Sequence, residues 1–172
     1  MRFDRQARHD GAVGTGSARP PARWSASSTA KDSAVSAAGS IAAALSERGN
    51  PVGLFVNTRL TGTGQPAVIP PGAAPGRLTD ILEPLARVTG RCGRPFDAFL
   101  EDQKRLLRAG TTVVCLVGRP HPELPAMVAL LGRAGLKRLV LLIGDGAAPV
   151  FPDGTPQRRI RHAGDLAVGR QP

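Results

Sequence analysis

Two stretches constrain the fold of this chain more than anything else in it. Thr111-Thr112-Val113-Val114-Cys115-Leu116-Val117 and Lys137-Arg138-Leu139-Val140-Leu141-Leu142-Ile143 are short, rich in β-branched and aliphatic residues, and apolar without alternation. A strand with one wet face alternates polar and apolar side chains; a continuous apolar run belongs to a strand covered on both faces. Pro51-Val52-Gly53-Leu54-Phe55-Val56 is a third, shorter run of this kind.

Each run follows a helical pattern that stops at a glycine. Val35, Ala38, Ala42 and Leu45 lie on one helical face, stopped by Gly49. Phe96, Phe99, Leu100, Leu106 and Leu107 mark a helix that starts near Pro95 and stops at Gly110. Leu124, Met127, Val128 and Leu131 mark another, stopped by Gly135. A further helix carries Leu78, Ile81, Leu82, Leu85 and Val88, with Gly90 at its end and Pro84 inside it to kink or split it. Asn57–Gln65 and Arg91–Arg94 read as loops, and Ala67-Val68-Ile69 as a short edge strand closed by Pro70-Pro71-Gly72. Arg158–Leu166 is a candidate last strand. Helix, tight turn and buried strand in repetition give an α/β fold: a parallel sheet of about four strands with helices on both faces.

A length of 172 residues fits one domain. The expected divisions are an irregular segment over 1–18, the α/β domain over 19–150 and an irregular tail over 151–172. Aromatics make up only 3% of the chain, with no Tyr and one Trp, so the core must be aliphatic. The same scarcity argues against base-stacking platforms and hence against specific nucleic-acid recognition. The net charge of +10 is almost all arginine and is spread along the chain rather than gathered on one element. The Arg-rich ends leave non-specific binding of anions or nucleic acid as one alternative function. Cys92 and Cys115 form no Cys-x-x-Cys pair, so a zinc site is not expected and a reducing compartment is. No apolar stretch is long enough to span a membrane, and no apolar signal core opens the chain; the expected location is the cytoplasm.

In parallel sheets, ligands bind beyond the carboxyl ends of the strands. Three such ends place Asn57 and Thr58, Arg119 and His121, and Asp145 as a candidate crevice. Together they offer an amide, a hydroxyl, a guanidinium, an imidazole and a carboxylate, enough for a nucleotide or small-anion site of enzyme-like form. Each also has a purely local reading: Asn57 and Thr58 as loop starters, His121 as part of a helix start before Pro122, and Asp145 as a turn residue between two glycines. No Gly-x-Ser-x-Gly, phosphate-loop or Ser/His/acid pattern occurs. No catalytic, cofactor-binding or metal-ligating set is therefore expected.

Several blocks, in order, resemble a bacterial family with a von Willebrand factor A-like, Rossmann-like fold, the domain-of-unknown-function family fifty-eight. They are Arg19-Pro20-Pro21-Ala22-Arg23-Trp24, Ala34–Ala42, Gly49–Phe55, Leu78–Ala86 and Ala109–Val114. The resemblance implies a non-catalytic interaction or scaffold domain that partners a MoxR-type AAA+ ATPase, with full-length relatives tethered by membrane segments upstream. Two departures stand out. The wider fold binds Mg²⁺ through Asp-x-Ser-x-Ser, whereas the matching Arg23-Trp24-Ser25-Ala26-Ser27 has an Arg where the Asp would stand. The family's first strand would fall on Gly11–Ala18, a poor strand sequence, so that strand is expected to be degenerate or missing through a late start.

Overall fold

The computed structural model describes residues 28–92, 95–151, 154–161 and Asp165. The expectations for the first strand and for Arg23–Ser27 fall outside these residues. The chain runs α1 (Ser28–Glu47), β1 (Val52–Val56), β2 (Thr58–Leu60), β3 (Ala67–Gly72), α2 (Arg77–Ala86) and β4 (Val88–Cys92). It continues through α3 (Phe96–Gln103), a 3-10 turn (Lys104–Leu106), β5 (Thr112–Val117), α4 (Leu124–Arg133), β6 (Lys137–Ile143) and β7 (Gln157–Ile160).

The two apolar runs form β5 and β6, and they pair in parallel from Thr112–Lys137 through Val117–Leu142. β7 adds on the far side of β6, also in parallel, from Val140–Gln157 to Ile143–Ile160. The order β5-β6-β7 puts β6 in the centre, and its residues Val140 to Ile143 are all at most 4% exposed. Side chains alternate across this sheet. Val113, Cys115, Val117, Val140 and Leu142 meet Leu124, Val128 and Leu131 of α4. Val114, Leu116, Leu141, Ile143 and Ile160 meet Ala30, Ala34, Ala37 and Ile41 of α1. Helices thus cover both faces, as the unbroken hydrophobicity of the strands demands.

The turns into β1 and β6 share one design. The Gly49 amide donates to the Ser46 carbonyl at 2.9 Å and the Asn50 amide to Leu45 at 3.0 Å. The Gly135 amide donates to Gly132 at 3.0 Å and the Leu136 amide to Leu131 at 3.1 Å. This paired pattern needs a left-handed residue after the helix, and Gly49 and Gly135 supply it with φ of 73° and 76°.

The first half of the chain departs from the expected sheet. β1 does not join β5 and β6; it pairs antiparallel with β3, with Leu54 opposite Ile69 and Val56 opposite Ala67. The connection after β1 suits this pairing: ten residues, 57–66, separate β1 from β3, short of the dozen or more that a parallel crossover takes. β3 runs through Pro70 and Pro71 instead of stopping at them, which an edge strand tolerates because its outer amides need no partner. Within the expected loop Asn57–Gln65, Thr58–Leu60 is a strand, antiparallel to β4. The helix expected to reach Gly90 ends at Ala86 with Pro84 inside it, and Val88–Cys92 is β4. The β-branched pair Val88-Thr89 favours that change of conformation. β7 lies past residue 150, starts one residue before the expected Arg158, and carries the parallel sheet to Ile160.

α1 joins the two halves. One stripe (Ala30, Ala34, Ala37, Ile41) packs on the parallel sheet. An adjacent stripe (Val35, Ala38, Ala42, Leu45) packs with Val52 and Leu54 of β1, Ile69 of β3 and Ile81 and Leu85 of α2. Val35, Ala38 and Ala42 follow Ala34, Ala37 and Ile41 of the first stripe by a single residue, about 100° around the helix.

Gly53 tests the β1–β3 contact. A Cβ there would lie 2.6 Å from the Ile69 carbonyl oxygen and 2.7 Å from the Pro71 nitrogen, both backbone atoms that cannot step aside. Gly53→Ala should lower stability in urea by about 1–3 kcal/mol. Gly146→Ala, where a Cβ meets nothing within 4 Å, should change it by less than about 0.5 kcal/mol. Equal midpoints for the two variants would contradict the packing described.

Candidate functional site

Among the described residues, two features of the parallel sheet are open to a ligand: the carboxyl ends of its strands and the outer edge of β5. At the carboxyl ends, neighbouring strands bring Arg119, His121 and Asp145 to the same end of the sheet. Asn57 links β1 to β2 and Thr58 lies in β2, in the other sheets, so strand pairing does not bring them to that end. Thr58 opens β2, and its Oγ1 is enclosed with no hydrogen-bond partner among the described residues.

His121 is exposed and works within the turn that opens α4. Its Nδ1 accepts from the Glu123 amide at 3.4 Å, and its carbonyl accepts from the Leu124 amide at 3.0 Å. Asp145 is exposed as well, and its Oδ1 accepts from Arg161 Nε at 3.0 Å. That bond ties the end of β6 to the end of β7. Arg159 strengthens the tie through a 2.6 Å bond from Nη1 to the Gly144 carbonyl, and the Gly144 amide donates to Ile160 at 2.8 Å. The Arg161 amide donates to Asp165 Oδ2 at 2.7 Å. Arg158, Arg159, Arg161 and Asp165 surround an open concavity of about 290 Å³. These arginines fall in the expected irregular tail, within its candidate last strand. The signal for them was the run Arg158-Arg159-Ile160-Arg161, whose single apolar residue is the one that enters the core.

The outer edge of β5 is different in kind. The Lys137 amide donates to the Thr111 carbonyl at 2.9 Å. With the register of Thr112 opposite Lys137, a parallel ladder then directs the backbone groups of Thr111, Val113, Cys115 and Val117 toward β6. The amides and carbonyls of Thr112, Val114 and Leu116 point the other way. Among the described residues no strand pairs with that side of β5. β5 therefore has the composition of an interior strand and the position of an edge strand. Its Val114 and Leu116 are only half-buried, whereas Leu141 and Ile143, on the same face of β6, are buried.

Cys115 is a nucleophile by type only. It is buried in the layer between the sheet and α4, and loss of hydration pushes its thiol from 9.0 up to about 11. The group remains a neutral thiol at neutral pH, without the thiolate that nucleophilic chemistry needs. Among the described residues, no cluster of three or more His, Cys, Asp or Glu side chains is arranged to hold a metal ion. No helix among them is long and apolar enough to cross a membrane.

No family model matches this chain, and no curated protein matches it.

The Cys115 thiol gives stability a definite alkaline limit. Its folded value lies above its ordinary one, so the folded state holds the proton more tightly. This contribution is complete below pH 9 and is lost as pH rises through about 11. Wild type should lose about 2 to 3 kcal/mol across that window relative to Cys115→Val, as measured by urea unfolding at each pH. Parallel pH profiles for the two proteins would place the thiol in water instead.

Proposed function

We propose that this chain is a non-catalytic protein-interaction and scaffold domain that docks through the outer edge of β5. One observation carries the reading: a strand with the sequence of an interior strand presents three unpaired amide and carbonyl pairs at a sheet edge, within the described residues. Such an edge is a template for another strand, and proteins that do not use one blunt it with charge, proline or a bulge. β5 carries none of these. In the same proposal, the domain is a von Willebrand A-like α/β unit, and a strand added beside β5 would bring its parallel sheet to four. The ordered sequence blocks support a MoxR-type AAA+ ATPase as the partner, and the unpaired cysteines and lack of an apolar signal core favour the cytoplasm as the place of the encounter.

A second reading takes the carboxyl end of β7 as a small-anion site. It is favoured by Arg158, Arg159 and Arg161 around one concavity. It ranks second because the Arg161 guanidinium already bonds the Asp145 carboxylate and the Arg159 guanidinium a carbonyl, while the Asp165 carboxylate, held by the Arg161 amide, lines the same concavity.

Two measurements separate these readings. The full chain, immobilised for biolayer interferometry, should bind a MoxR-type ATPase encoded beside it with a Kd in the micromolar range or tighter. In thermal unfolding, millimolar phosphate or ATP should leave the midpoint unchanged. A rise that Arg159→Ala removes would favour the anion site, since only a ligand of the folded state raises the midpoint. ATPase binding that is absent at every concentration overturns the first reading.

A further inference from the structure

Three features define what the outer edge of β5 can accept, taking that edge as the docking element proposed above. The first is hydrogen bonding. Thr112, Val114 and Leu116 each offer one amide and one carbonyl outward, about 7 Å apart along the strand. That is a ladder for one extended segment of roughly six residues. The second is cover. Val114 and Leu116 pack toward α1, and Val113, Cys115 and Val117 toward α4. α1 and α4 thus line the two faces of β5 with apolar side chains. A segment added at this edge meets apolar layers, which selects aliphatic and β-branched residues over charged ones.

The third feature is charge. From Lys104 to Pro122 the chain carries Lys104, Arg105, Arg108 and Arg119 and no carboxylate. Arg108 stands before β5 and Arg119 after it, both exposed, while the strand between them carries no charge. The opposite edge of the same sheet provides the contrast. β7 holds Arg158 and Arg159 within four residues and Arg161 just beyond, a charged edge that discourages strand pairing. Among the described residues one edge is guarded and the other bare, with cations at its ends. A second copy of this chain fits poorly: antiparallel β5 strands would bring Arg108 of one copy beside Arg119 of the other, and the chain already carries +10.

We infer that the outer edge of β5 is a strand-addition site for an extended, uncharged, β-branched segment of a partner protein, flanked on both sides by carboxylates. Main-chain bonds to Thr112, Val114 and Leu116 supply the affinity. Arg108 and Arg119 select the acidic flanks.

The test uses the full chain and a fluorescein-labelled decapeptide, six alternating valine and threonine residues between two pairs of glutamates. Saturable binding is expected in fluorescence polarisation. A matched peptide with lysine flanks should bind at least tenfold more weakly. On addition of the glutamate peptide, hydrogen exchange at the amides of Thr112, Val114 and Leu116 should slow. Exchange at Val113, Cys115 and Val117, already held by β6, should not change. Thr112→Pro removes one outward amide from an exposed position at the strand's start and should weaken binding severalfold without loss of fold. Arg108→Glu combined with Arg119→Glu should reverse the preference toward the lysine peptide; this readout does not depend on the stability of the proline variant.

No saturable binding, or binding that leaves those three amides unchanged, overturns the inference. So does protection of the same amides in the free chain: if sedimentation shows dimers, the occupant is a second copy, and if it shows monomers, the edge is filled from within the chain. If the ATPase binds wild type and Thr112→Pro alike while the peptide fails, the interaction function stands and the strand-addition site falls.

Discussion

Six consecutive residue pairs, from Thr112 with Lys137 to Val117 with Leu142, join β5 and β6 in parallel, and the rest of the domain is arranged around that ladder. Parallel pairing requires a crossover, which α4 makes, and it leaves both faces of the strands needing cover. α4 supplies it on one face through Leu124, Val128 and Leu131. α1 supplies it on the other through Ala37 and its neighbours. β7 then closes the far side of β6, and Ile160 is fully buried as a result.

The second constraint is the division of labour within α1. Its small residues, Ala30, Ala34 and Ala37, allow close approach to the parallel sheet. The neighbouring stripe of Val35, Ala38, Ala42 and Leu45 forms a separate core with β1 and α2. One helix therefore holds two sheets that share no hydrogen-bonded strand pair among the described residues. A helix with a single apolar stripe would cover only one of them.

These two constraints explain why the functional reading centres on an edge and not on a pocket. The polar residues at the strand ends are engaged in local structure. His121 stabilises the start of α4, and Asp145 with Arg161 pins β6 to β7. Along the outer edge of β5, by contrast, three peptide groups face away from β6 beside half-buried valine and leucine, with no strand paired to them among the described residues. Backbone groups recognise extended chains, and the cations at either end add a charge preference.

The sequence by itself determined the local elements whose signals lie within a few residues. The uninterrupted apolar runs marked β5 and β6, the 3.6-residue spacing marked α1 and α4, and Gly49 and Gly135 marked the turns that follow those helices. The early end of α2 and the strands β2 and β4 were not legible, because three- to five-residue strands with polar side chains are stabilised by their partner, not by their own pattern. Nor were Arg159 and Arg161 legible as neighbours of Gly144 and Asp145, since the contact exists only once β7 has joined β6. Which edge each strand would occupy was decided by tertiary structure alone. A β-branched apolar run has the same sequence whether two strands flank it or one does, and pairing is a relation between distant segments. The placement of β1 in an antiparallel pair and of β5 at an edge follows from that relation, and the candidate site with it.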